Sequence, residues 1–122
     1  MQRSEFEEAI LKALAQLPQQ FQAAMDNLDI EIHSRPSKSE LQSAGVNQGH
    51  TLFGMYVGVP LPERSHYHSM TLPDQIVIYQ QPHEESFHTE EEVVHQLRRT
   101  LFHEIGHYLG MNEDRLRELG LD

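Results

Sequence analysis

His103, Glu104 and His107 stand in the stretch RRTLFHEIGHYLGMNEDRLRELG at the spacing H-E-x-x-H, with Gly110 three residues beyond the second histidine. Two histidines four apart on a helix lie one turn apart on the same face, so both imidazoles can reach one ion. Zinc hydrolysis needs protein ligands that leave one coordination position for water. The glutamate between the histidines is then not a ligand. It takes a proton from water at the open position and passes it to the departing amine. The same spacing on a surface helix is three polar residues facing solvent, and nine histidines in 122 residues make a chance match easier.

Two further features favour the metal reading. Gly110 can adopt a left-handed conformation that turns the chain sharply back after the helix. An acid then follows at Glu113, ten residues beyond His103, where a returning chain could supply a third ligand, and Asp114 stands next to it. Acids there also suit the first turn of a helix capped by Asn112, where the dipole favours them. Glu113 is the expected third ligand and Asp114 the alternative.

These residues need a helix to carry them. Advancing about 100° per residue, Val94, Leu97, Leu101, Ile105, Tyr108 and Leu109 gather in one apolar sector, with His103 and His107 nearly opposite and Glu104 on the border. Thr89 and Glu92 make a capping box that opens this helix, and Gly110 stops it. Asn112 caps a short last helix through Leu119, closed by Gly120. Upstream, Ser4 to Leu17 reads as a first helix with Ser4 and Glu7 as its capping box, ended by Pro18, and FQAAM adds a turn. LDIEIH alternates as a half-buried strand, and TLFGMYVGV and QIVIYQ are two more. Gly54 and Gly58 in the second could let another backbone approach closely. Residues 34–50 read as a loop with one helical turn at SKSELQ, and PLPERSHYHSMTLPD as a second loop.

Composition narrows the function classes. There are no cysteines, which excludes a disulfide framework and thiol catalysis and suits a reducing cytoplasm. The formal net charge of −10 repels phosphate backbones, so nucleic acid is not the expected partner. No apolar run is long enough to span a bilayer, and MQRSEFEEAILKALAQL reads as a folded amphipathic helix rather than a cleavable signal. The expectation is one α+β domain over residues 1–122: an N-terminal helix, a small three-stranded sheet, the HExxH helix and a short closing helix.

HEIGHYLGMNE is similar to the extended zincin pattern H-E-x-x-H-x-x-G-x-x-(H/D), whose last residue is the third zinc ligand in aspzincins and metzincins. The whole chain resembles the small bacterial zincin-like metallopeptidases sometimes called minimal zincins. The resemblance rests, in order, on the first helix ending at LP, DNLDIEI, LFGMYVGVPLPERS, DQIVIYQQP, HEIGHYLG and RLRELG. It implies Zn²⁺ held by His103, His107 and Glu113, Glu104 as general base, and hydrolysis of a peptide or another amide. Two departures stand out: Glu113 occupies a position where aspzincins use Asp, and no methionine follows Met111 to make a Met-turn. The rival readings are a zincin-shaped protein that binds metal or an extended peptide without cleaving it, and a metal-free interaction module. By the same resemblance, QIVIYQ or TLFGMYVGV could pair with an extended substrate.

Several other residues are candidates for lesser roles. His66 and His68 could assist a metal or a substrate oxygen, and Arg64, Tyr56, Tyr67 or Tyr79 could stabilise an oxyanion. Tyr108 reads as core. His33, His50, His83, His88 and His95 read as surface residues, and Glu84–Glu85 and Glu90–Glu92 as solvated charge.

Overall fold

The computed structural model describes residues 1–46, 51–58 and 74–119. Helices α1 (Arg3–Ala15) and α2 (Gln19–Ala24) and a short 3₁₀ turn (Met25–Asn27) lead into strand β1 (Leu28–His33). Helix α3 (Lys38–Ser43) precedes strands β2 (Gly54–Val57) and β3 (Asp74–Tyr79). Helices α4 (Gln80–Ser86), α5 (Glu90–Tyr108) and α6 (Glu113–Glu118) follow. The expected α+β architecture is present, with β3 in the centre of a three-stranded sheet. β1 runs parallel to it, Ile30 opposite Ile76, and β2 antiparallel, Met55 opposite Val77. No described helix is long and apolar enough to cross a membrane.

The termini of the helices follow local chemistry. The Thr89 hydroxyl accepts the Glu92 amide at 3.1 Å, and the Glu92 carboxylate accepts the Thr89 amide at 3.2 Å, the expected capping box. Ser37 and Glu40 do the same for α3, which is therefore a helix of six residues rather than a single turn in a loop. The first helix begins one residue earlier than Ser4. Its first-turn carboxylate is Glu5, which accepts the Gln2 amide at 2.9 Å, so the Ser4–Glu7 box does not form.

α1 and α5 cross the sheet and share one core with it. Phe6, Ala9, Ile10 and Ala13 meet Leu97, Leu101 and Ile105 beneath Ile76 and Ile78. α5 is buried on more sides than a single apolar sector predicts. Phe102 stacks edge-on against Phe21 at 5.1 Å, and Thr100 lies under β2. A Cβ at Gly54 would stand 2.6 Å from the Thr100 methyl, so the glycine lets this strand settle onto a helix side chain rather than onto another backbone. At Gly58 a Cβ would collide with the Asp74 carboxylate.

α4 is an element that sequence reasoning passes over. Pro82 sits in its first turn, where a missing amide is harmless, and the short segment shows no apolar periodicity. His83, expected at the surface, is 0% exposed. Its ring lies between Phe6 and Phe53, at 5.6 and 4.9 Å. Nδ1 is 2.7 Å from the Tyr79 carbonyl, which can only accept, so Nδ1 carries the proton and Nε2 is bare, 3.5 Å from the Thr100 hydroxyl.

Burial pushes the His83 imidazole down to about 4, while the bond to Tyr79 pulls it upward. Its folded pKa therefore lies below the unfolded value of about 6.5. The unfolded chain binds the extra proton between those values, so this contribution is complete above pH 6.5 and is lost as pH falls towards 4. The difference amounts to about 3 kcal/mol. Urea unfolding of the wild type and His83→Gln across pH 4–7 should show a shallower acid loss in the variant. Parallel curves would exclude a buried neutral imidazole.

Candidate metal centre

α5 carries His103, Glu104 and His107 on its last two turns. The two histidine rings are part-exposed with centroids 4.6 Å apart, and Glu104 is 8% exposed. The helix ends in a Schellman turn. The Met111 amide donates to the Gly106 carbonyl at 2.8 Å and the Gly110 amide to the His107 carbonyl at 3.0 Å. Gly110 has φ +86°, the left-handed conformation that a glycine adopts without a Cβ penalty. Asn112 then caps α6, its side chain accepting the Arg115 amide at 2.8 Å.

That reversal brings α6 back over the end of α5. Leu116 is fully buried, and a Cβ at Gly106 would stand 2.5 Å from its Cδ2. The glycine inside H-E-x-x-H thus leaves the hollow in which Leu116 seats. Docked this way, α6 delivers Glu113 to the histidines: its Oε1 lies 2.9 Å from His103 Nε2 and 3.1 Å from His107 Nε2. The neighbouring Asp114 is 82% exposed at its side chain and pairs with Arg117 at 3.4 Å, turned along its own helix.

Glu104 is placed differently. Its Oε1 accepts the Tyr56 backbone amide of β2 at 2.8 Å and stands 3.9 Å from His107 Nδ1, on the other side of that ring from Glu113. Burial pushes its carboxyl up to about 7, with the nearby Glu113 charge adding to the rise. The His107 charge and the Tyr56 amide oppose it. A cation bound beside it would pull the value back down.

The donor set suits a divalent ion. Donor atoms of His103, Glu104 and His107 all lie within 4.8 Å of one another. Of the two carboxylates, Glu113 faces both Nε2 atoms, whereas Glu104 is tied to the sheet. Ligands about 2.0–2.1 Å from a tetrahedral zinc stand about 3.3 Å apart, so the separations of 2.9 and 3.1 Å need only a few tenths of an ångström of adjustment. Two imidazoles and one carboxylate holding such an ion would leave a fourth position open.

The remaining candidates divide plainly. The Tyr56 hydroxyl donates to Asp74 at 2.6 Å and the buried Tyr79 hydroxyl to Glu40, so each phenolic proton is engaged by a carboxylate. Tyr108 is core, as expected. Arg64, His66, Tyr67 and His68 lie outside the described residues, as does His50. Sequence reasoning misses Tyr56 as the backbone partner of Glu104, because a main-chain amide leaves no signature in side-chain identity.

A H-E-x-x-H helix under the antiparallel edge strand of a small mixed sheet defines a metallopeptidase-like fold. The chain belongs to the family described as zincin-like metallopeptidase, whose model matches residues 25–121. No curated protein matches it. A solved structure described as a conserved hypothetical protein from Thermo thermophilus is similar over 99% of this chain and 100% of that one, with 18% identity and a TM-score of 0.59. That likeness extends the shared fold to α1, which precedes the span of the family model.

The packing at Gly106 sets two effects against each other. Gly106→Ala gains about 1 kcal/mol of helix propensity but drives a methyl into a close-packed leucine, at a cost of about 1–3 kcal/mol. Denaturant unfolding should show the single variant destabilised, and the same substitution neutral or stabilising once Leu116→Ala has emptied the hollow. An equal effect in both backgrounds would mean that α6 does not rest on this glycine.

Proposed function

We propose that this chain is a zinc-dependent peptidase in which His103, His107 and Glu113 hold the ion and Glu104 is the general base. The observation carrying this reading is the convergence of two imidazole Nε2 atoms on one Glu113 oxygen, beside a second carboxylate fastened to the sheet edge. A bound Zn²⁺ supplies a Lewis acid for the scissile carbonyl and lowers the pKa of water towards about 7. The rest falls to the chain. The Tyr56 amide engages Oε1 of Glu104 and fixes the carboxylate plane, so the proton is taken at Oε2 and released from there to the leaving amine.

The substrate in this reading is an extended peptide. Among the described residues β2 pairs with β3 alone, so a peptide strand would add along its far edge beside the Tyr56 amide, which is already taken by Glu104. A net charge of −10 disfavours nucleic acid in that place. In this reading Asp114 stays outside the centre, turned towards Arg117.

A metal-free role is the second reading, favoured because 2.9 and 3.1 Å are also ordinary hydrogen-bond lengths. Metal analysis and thermal unfolding separate the two. At a zinc concentration about one hundred times Kd the folded state gains about 2.7 kcal/mol, so the melting temperature should rise. His103→Ala and Glu113→Ala should abolish or blunt the rise, and Asp114→Ala should leave it intact. Glu104→Gln should keep the zinc-induced rise while cleavage of a mixed peptide library drops by about 10² or more. Undiminished cleavage in that variant removes Glu104 as the base, and an unchanged melting temperature in zinc removes the metal.

A further inference from the structure

A cavity of about 250 Å³ opens beside the histidines. Residues 51–54, the approach to β2, form one wall, and Gln96, Arg99 and Thr100 form the other, with His103 and Glu104 at one end. At 1.5 Å per residue the helical wall runs about 10 Å from Gln96 to His103. The volume falls below the range of about 300–1,000 Å³ common for whole small ligands and suits a single side chain.

The chemistry of the lining is uneven. Thr100 donates to the Gln96 carbonyl at 2.9 Å and accepts the Gln96 side-chain amide at 3.2 Å, so these two polar groups answer one another. Leu52 and Phe53 are apolar. The fixed positive charge on the lining is Arg99, which is exposed, whereas Arg98 lies over the Phe102 ring at 5.5 Å. A guanidinium has five donors in a planar fork matched to a carboxylate. Arg99 thus places a cation one helical turn from His103 in a chain of net charge −10.

We propose that the groove receives a carboxylate-bearing group of the peptide next to the bond to be cut, with Arg99 as the specificity-determining residue. As a statement about substrate this rests on the peptidase reading, although the groove itself does not require turnover. The carboxylate has two sources, a Glu or Asp side chain or the free end of the peptide.

Fluorescence anisotropy of the full-length, metal-stripped protein tests the groove without catalysis. The probes are N-terminally labelled heptapeptides of alanine with a central Glu or a central Gln, amidated at the C-terminus, and the Gln peptide with a free C-terminus. The amidated Glu peptide should bind about fivefold more tightly than its Gln counterpart, the advantage of an exposed ion pair. Arg99→Gln and about 1 M NaCl should each erase the difference, and Arg99→Lys should keep part of it. If the free-acid Gln peptide gains the advantage instead, again through Arg99, the carboxylate is the chain end. Equal binding of all three, no binding of any, or a preference surviving in Arg99→Gln overturns the proposal. Digestion of the same peptides by zinc-loaded protein judges the other reading. Cleavage with no carboxylate preference sinks the groove and spares the peptidase, while Arg99-dependent binding without cleavage does the reverse.

Discussion

The hydrogen bond from the Tyr56 amide to the Glu104 carboxylate joins the sheet to the helix that bears the histidines, and the arrangement of the centre depends on it. A carboxylate this deeply buried needs a donor, since leaving it unmatched would cost several kcal/mol. An edge strand offers one, because alternate amides point away from its partner. β2 comes close enough to provide it only because Gly54 lets the strand rest on Thr100. The strand has its own fastening, from the Tyr56 hydroxyl to the buried Asp74 and from the Tyr56 ring to Tyr108 at 5.8 Å. Backbone, glycine and phenol thus converge on the orientation of one acid.

The second carboxylate arrives by another route. α5 stops in a Schellman turn, α6 folds back, and Leu116 enters the hollow left at Gly106. Glycine weakens a helix interior, so its place inside a nineteen-residue helix is explained by this seat rather than by propensity. The two glutamates then sit in opposite settings. Glu113 is more than half exposed and borders both Nε2 atoms, and Glu104 is enclosed and borders Nδ1 of His107. The two carboxylates are separated by environment, though both are the same residue type.

Much of this is legible in the sequence because it is local. The Thr89–Glu92 box, Gly110 and Asn112 act over three or four residues, and alternation in LDIEIH and the apolar run QIVIYQ mark two strands directly. What escapes is what distance in the chain conceals. Ser4 and Glu7 match a capping pattern as well as Gln2 and Glu5 do, and only tertiary placement of α1 chooses between them. His83 looks like a surface histidine until Phe6 and Phe53 close around it from distant parts of the chain. The hydrophobic sector of α5 follows from spacing, but the added burial of Phe102 and Gly106 comes from α2 and α6, which cover flanks that a single-face reading leaves to solvent. The three residues suggested by spacing do cluster with Glu113, while His66 and His68 fall outside the described residues.

The contact between Glu104 and Tyr56 spans 48 positions, whereas the histidines and Glu113 lie within a single short stretch of chain. On the peptidase reading, the ligands of the ion are thus written locally, and the orientation of the base is written in the assembled tertiary structure. On the same reading, this is an intrinsic safeguard: hydrolytic competence waits for the sheet to zip shut, so an incompletely matured molecule lacks an aimed base and is no indiscriminate cutter.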